Sequence, residues 1–193
     1  MKIILITRPD FFEDELPMVN DMFADGLEIL HLRKPNYTLA EMENFVLSVD
    51  PRWRNRVVVH SHFELVERFG LRGAHMGVNR PLNIEGFKGT KSFSCHSLRE
   101  VEIHKSVCNY AFLSPIFNSI SKQGYKSAFS FEDLSRAHLS GLIDHKVVAL
   151  GGIDADNVEI VRRLGFGGVA VLGTVWKSQN PVEALRELLA IVK

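Results

Sequence analysis

Two stretches near the C-terminal end present bare backbone where a side chain would be expected: VVALGGIDADN at 147–157 and GGVAVLGT at 167–174. Each holds an apolar run that stops at glycine, and the first passes at once into a polar helix start. Backbone N–H groups bind anions, and a missing Cβ allows close approach. Gly151-Gly152 and Leu172-Gly173 are therefore candidate phosphate-binding positions. The same glycines would also serve tight strand-to-helix turns, but two such motifs at neighbouring strand ends favour a phosphate. A third stretch, SPIFNSISKQGYKSAF at 114–129, is the longest without periodicity. It gathers Ser119, Ser121 and Lys122, hydroxyls and an ammonium that suit a phosphate or pyrophosphate. A solvated loop is the alternative reading.

Histidine is the other chemistry-bearing type. Of eight histidines, five (His31, His60, His62, His75, His96) fall at the ends of predicted strands. His31, which titrates near neutrality when unperturbed, is the first candidate acid/base, and His96 the second. A transition-metal site is conceivable, since imidazole is a common metal ligand. No H-E-x-x-H motif or cysteine pairing supports one, and few acidic residues accompany the histidines, so no metal ligands are assigned. Arg33 and Ser94 also stand at strand ends.

Those residues need a scaffold that brings many strand ends together. Short apolar runs at 3–7, 29–33, 57–60, 73–76, 91–94, 110–113, 147–150 and 168–171 alternate with helical patterns. Most are continuously apolar, as in strands of a parallel sheet buried on both faces. Helix starts carry caps: Thr38 with Glu41, Ser61 with Glu64 and Ser97 with Glu100 have capping-box spacing, and Asn180 precedes Pro181. Gly165 reads as a helix C-cap. Eight β/α units predict an α/β fold, a (β/α)₈ TIM barrel in a single domain over 1–193, with chemistry at the C-terminal strand ends. A doubly wound open sheet is the rival, disfavoured by the lack of G-x-G-x-x-G after the first strand.

Composition narrows the partners. Lysine plus arginine equals aspartate plus glutamate at 23 each, so long-range attraction to nucleic acid or an anionic membrane is not expected. No apolar run approaches a membrane span, and the apolar part of KIILITRPD is too short for a signal-peptide core. Two cysteines, Cys95 and Cys108, make no disulfide framework and suggest a reduced, cytoplasmic compartment.

Taken in order, EILHLRKP, GAHMGVN, SFSCHS, NYAFLSPIFNSISK, VVALGGIDADN and GGVAVLGTVW resemble the thiamine phosphate synthase/TenI family over nearly the whole chain. The resemblance implies a barrel enzyme of thiamine biosynthesis, homodimeric, that binds small-molecule phosphate esters. A synthase of that family joins a hydroxymethylpyrimidine pyrophosphate to a hydroxyethylthiazole phosphate and releases pyrophosphate, helped by Mg²⁺. TenI-type members instead aromatise the thiazole phosphate by a proton shift. A non-catalytic phosphate-ester binder is a further alternative. By resemblance, Gly151, Gly152, Leu172 and Gly173 hold the thiazole phosphate, Ser119 and Ser121 replace two threonines, Lys122 binds pyrophosphate, Ser94 lies near substrate, and Arg33 is the arginine of the family's Gln-x-Arg-x-Lys. That motif's glutamine is His31 here and its lysine is Pro35, with Lys34 one place early. The two aspartates that would hold Mg²⁺ are replaced by Ser61 and Arg80; Arg80 would then meet the pyrophosphate directly. The TenI histidine after strand six is Pro115.

Overall fold

The computed structural model describes residues 1–77, 86–118 and 129–192. Eight parallel strands form a closed barrel in sequence order, β1 pairing with both β2 and β8. They are β1 (Lys2–Ile6), β2 (Ile29–Leu32), β3 (Val57–Val59), β4 (Gly73–Gly77), β5 (Thr90–Cys95), β6 (Tyr110–Leu113), β7 (Val147–Leu150) and β8 (Gly168–Val171). Every predicted strand is present, and closure excludes the open doubly wound sheet. The helices among the described residues are α1 (Glu15–Ala24), α2 (Leu39–Ser48), α3 (Glu64–Phe69), α4 (Leu98–His104), α5 (Phe131–Leu139), α6 (Val158–Arg163), α7 (Gly173–Trp176) and α8 (Pro181–Val192).

Alternation along each strand builds two hydrophobic regions. Outward residues such as Leu5, Leu30, Val59, Leu113 and Val169 join helix residues such as Val19, Val46, Val161 and Leu185 in the larger core. Inward residues Ile4, Ile6, Ile29, Val58, Tyr110, Phe112, Val148 and Ala170 fill the barrel itself. Register keeps them level: Ile6 lies beside His31, His31 beside Val58, His75 beside Ser92, and Ser92 beside Tyr110.

The helix ends follow the caps with one correction. Thr38 accepts from the Glu41 amide while Glu41 returns to the Thr38 amide, a full capping box. Ser97 accepts from the Glu100 amide, but the Glu100 carboxylate takes the His96 N–H instead. Asn180 accepts from the Glu183 amide, and Gly165 has φ of 77°. Ser61, expected to cap α3, does not: the cap position is Phe63, without a side-chain hydrogen bond. The chain turns through His62 at φ 53°, with the His62 ring bonded to the Tyr37 carbonyl. The helix start therefore lies two residues later than the cap spacing predicted.

Candidate functional site

The C-terminal ends of β2 to β5 enclose a cavity of about 470 Å³, lined by Arg33, Lys34, Pro35, His60, Ser61, Phe63, His75, Met76, Gly77 and Ser94. That volume is in the range of small-molecule sites. Arg33 is exposed at the rim, its backbone held by Thr7, whose hydroxyl accepts from the Arg33 amide at 2.9 Å. Lys34 follows a different path. Its ammonium is buried against the Glu15 carboxylate at 2.6 and 2.7 Å, donates to the Asp10 carbonyl at 3.0 Å, and lies 4.5 Å from the Phe11 ring centre. Burial pulls the Lys34 pKa down and pushes that of Glu15 up, each partly offset by the partner. This ammonium ties β2 to α1 and is spent on that contact.

The floor of the cavity is a network of imidazoles and hydroxyls. His75 bonds through Nδ1 to Ser92 Oγ at 2.8 Å and through Nε2 to Ser94 Oγ at 2.7 Å. Below, His31 Nδ1 faces His60 Nε2 at 3.0 Å, and His31 Nε2 faces the Tyr110 hydroxyl at 2.6 Å. Phe112 closes the base, its ring centre 4.8 Å from that of His31 and 4.7 Å from that of His75. Burial is the main reason these rings stay uncharged. It holds His31 and His60 well below the usual imidazole range, aided by mutual repulsion and, for His60, by Arg33. His75 is pulled down to about 3 by the same burial and by Arg33. Burial likewise pushes the Tyr110 phenol up to about 12.

The expectation that His31 titrates near neutrality is therefore corrected. Its side chain is fully buried one layer beneath the cavity wall, which is formed by His60 and His75. His96 lies apart from this network: it is exposed, and its Nδ1 bonds to Ser114. Sequence reasoning singled out His60 and His75 as strand-end histidines without a catalytic assignment; it did not single out Tyr110 or Ser92. For Tyr110 the signal was a polar tip on an otherwise apolar strand; Ser92 lies in the polar stretch TKSFSC and carries no such signal. Cys95 and Cys108 are buried thiols, Cys95 pushed up to about 12 by burial, and neither is placed for nucleophilic chemistry.

Across the barrel, the glycine motifs form a second part of the mouth. Gly151 and Gly152 have φ of 100° and 66°. A Cβ on Gly151 would stand 3.0 Å from Pro115 Cα, and one on Gly152 would stand 2.8 Å from Phe117 Cβ and closer still to the Asn118 carbonyl. So the bare backbone approaches the segment after β6, which extends the pairing through Ile116 N–H to the Leu150 carbonyl and Phe117 N–H to the Gly151 carbonyl, both 3.0 Å. Positive φ and this close packing each require glycine at these positions. Leu172 and Gly173 begin α7, and Thr174 donates its hydroxyl to the Ile153 carbonyl, joining the loops after β7 and β8. The first amides of a helix have no intrahelical acceptor. Arg80, Ser119, Ser121 and Lys122 lie outside the described residues.

Comparison with known proteins agrees with this arrangement. The thiamine monophosphate synthase family matches residues 3–175. A thiamine-phosphate synthase of Herpetosiphon aurantiacus is 27% identical over 190 residues, covering 93% of this chain and 90% of that protein. One from Citrobacter koseri is 25% identical over 188 residues, covering 92% and 88%. The crystal structure of thiamine phosphate pyrophosphorylase from Bacteroides thetaiotaomicron superposes with a TM-score of 0.90 at 36% identity, covering 100% of this chain and 98% of that one. With the family matched along most of its length and the same barrel beneath, this chain belongs to the thiamine monophosphate synthase family.

Proposed function

We propose that the protein joins a hydroxymethylpyrimidine pyrophosphate to a hydroxyethylthiazole phosphate. The observation that carries this is the cavity over β2–β5, with a floor of imidazoles and hydroxyls and a cation at its rim. A pyrimidine ring fits the floor, where imidazoles and serines offer hydrogen bonds without net charge. That neutrality matters to the reaction. When the bond between the pyrimidine methylene and the pyrophosphate oxygen breaks, both bonding electrons leave with pyrophosphate, and the methylene becomes cationic. Protonated histidines beneath it would oppose that charge; neutral ones do not. The thiazole nitrogen then supplies its lone pair to the methylene carbon. Arg33 faces the departing anion, with Lys122 and Arg80 as the further cations of the proposal. Gly151, Gly152, Leu172 and Gly173 would hold the thiazole phosphate, and a homodimer belongs to the same reading.

Mg²⁺, which the resemblance implies, does not fit the described residues. It takes oxygen ligands, usually carboxylates. The cavity wall supplies no carboxylate, and Ser61 stands where an aspartate would be expected. No step is assigned to it.

The test is incubation with both substrates, with and without added divalent ion, reading thiamine phosphate after oxidation to its fluorescent product. Turnover is expected, and Arg33→Ala should lower kcat/KM by about 100-fold, as for loss of a group that stabilises transition-state charge. Absence of product from folded protein that still binds the thiazole phosphate would refute the synthase reading.

A further inference from the structure

We propose that His31, His60 and His75 form a site for a transition-metal dication, best matched to Zn²⁺, with one coordination position open to the cavity. One nitrogen from each ring lies within 4.8 Å of the others. His31 Nδ1 and His60 Nε2 are already 3.0 Å apart. Two nitrogens on one tetrahedral zinc, each at about 2.0–2.1 Å, are separated by about 3.3 Å. A slight spreading of this pair admits the ion between them. Turning the His75 ring brings in the third nitrogen.

The surroundings meet what such a site requires. A metal-bound imidazole usually donates its remaining N–H to an oxygen that fixes the ring. If His31 ligates through Nδ1, its Nε2–H donates to the Tyr110 hydroxyl, now 2.6 Å away. If His75 ligates through Nε2, it leaves Ser94, and its Nδ1–H donates to Ser92 Oγ at 2.8 Å. Three imidazoles without a carboxylate select zinc, cobalt or nickel over magnesium or calcium. His31 is buried, His75 is 4% exposed, and both His60 and His75 line the cavity. The fourth position therefore faces the space where a small molecule would sit. Three protein ligands and one open position is the pattern of reactive rather than structural zinc. An ion there and Arg33 at the rim would present two positive groups to one anionic oxygen of a ligand in the cavity.

The inference rests on the imidazole geometry and not on the synthase reading: a dication at the floor would oppose the methylene cation, so the zinc-loaded form and the form that joins the substrates are alternatives, and the site is tested without substrate. Protein made without a histidine tag is stripped with chelator and titrated with Zn²⁺ alone, then with Co²⁺ alone. About one zinc per chain is expected, and Co²⁺ should give the intense visible absorption of a four-coordinate site. His60→Gln should weaken zinc binding by about 100-fold or more, and Tyr110→Phe by about 10- to 100-fold through the lost ring support. Circular dichroism checks that each variant is folded. X-ray absorption of the zinc-loaded wild type gives a second reading that needs no variant, with three imidazoles expected around the metal. Failure of the folded wild type to retain zinc, unchanged affinity in folded His60→Gln, or a coordination shell lacking imidazole would overturn the site.

Discussion

The inside of the barrel has two unlike halves. From β7 through β8 and β1 to the start of β2 it is lined by Val148, Ala170, Ile4, Ile6 and Ile29, packed with Leu150 and Leu172. From the end of β2 to β6 the apolar Val58 and Phe112 share the interior with His31, His60, His75, Ser92, Ser94 and Tyr110, polar side chains that bond to one another. The apolar half needs only volume and shape. The polar half needs every donor to find an acceptor in a place water reaches poorly, so its members depend on one another. The apolar half is filled by interchangeable hydrocarbon, while the polar half is specified residue by residue and opens on the cavity.

Acid should separate the halves most strongly. His31, His60 and His75 have folded-state pKa values below the unfolded value near 6.5, His75 down to about 3. The unfolded chain therefore binds more protons as pH falls below about 6.5, and folding stability declines until the folded pKa is reached, by up to about 1.4 kcal/mol per pH unit for each ring. A loss of several kcal/mol between about pH 6.5 and 4.5 is expected in metal-free protein, read by urea unfolding at a series of pH values. A flat profile across that window would mean that the rings are solvated and the contrast is false.

Next in size, His31→Leu removes the partner of His60 Nε2 and one partner of the Tyr110 hydroxyl, which also meets Ser92. Leaving His60 Nε2 unpaired and Tyr110 with one partner fewer should cost about 1–4 kcal/mol. Ile29→Val, on the same strand in the apolar half, should cost about 0.5–1.5 kcal/mol. Equal losses in denaturant titrations would show that hydrogen bonding does not distinguish the halves.

Gly152→Ala probes the seam where the apolar half meets the mouth. A side chain at φ 66° that also presses on Phe117 should cost about 2–4 kcal/mol and lower Tm by several degrees. A smaller change would mean that the segment after β6 shifts freely. It would loosen the argument that packing, as well as any anion, demands glycine there.

Much of this was legible in the chain. Strands of near-continuous Val, Ile and Leu separated by helical stripes point to a parallel barrel, and β6, β7 and β8 begin and end where the apolar runs do. The sequence also marks His31, His60 and His75 as strand-end histidines, while Ser92 and Tyr110 are placed inward only by the closed sheet. Periodicity does not give depth: whether an inward histidine forms the cavity wall or the layer beneath depends on barrel stagger, which only the closed sheet reveals. Local signals failed where a distant partner decided the geometry. Ser61 has the right spacing for a cap, yet the chain turns through His62 at φ 53°, its ring bonded to the Tyr37 carbonyl, and α3 begins at Glu64. Gly151-Gly152 resembles an anion loop, but its nearest visible neighbours are backbone and side-chain atoms of 115–118, a contact no local pattern encodes. Lys34 sits one place from the lysine of the motif it resembles, but its ammonium is held by Glu15 on α1.

The pairing of Lys2 with Gly168 and of Leu5 with Val171 also has a consequence for how the chain is made. β1 leaves the ribosome well before its closing neighbour. At about 5–20 residues per second, one edge of an apolar strand waits on the order of ten seconds or more for its partner. Contacts so distant in sequence also slow the final closure. During that interval Ile3–Ile6 offers an open strand edge to other nascent chains, and the emerging protein is most exposed to aggregation just before β8 leaves the ribosome.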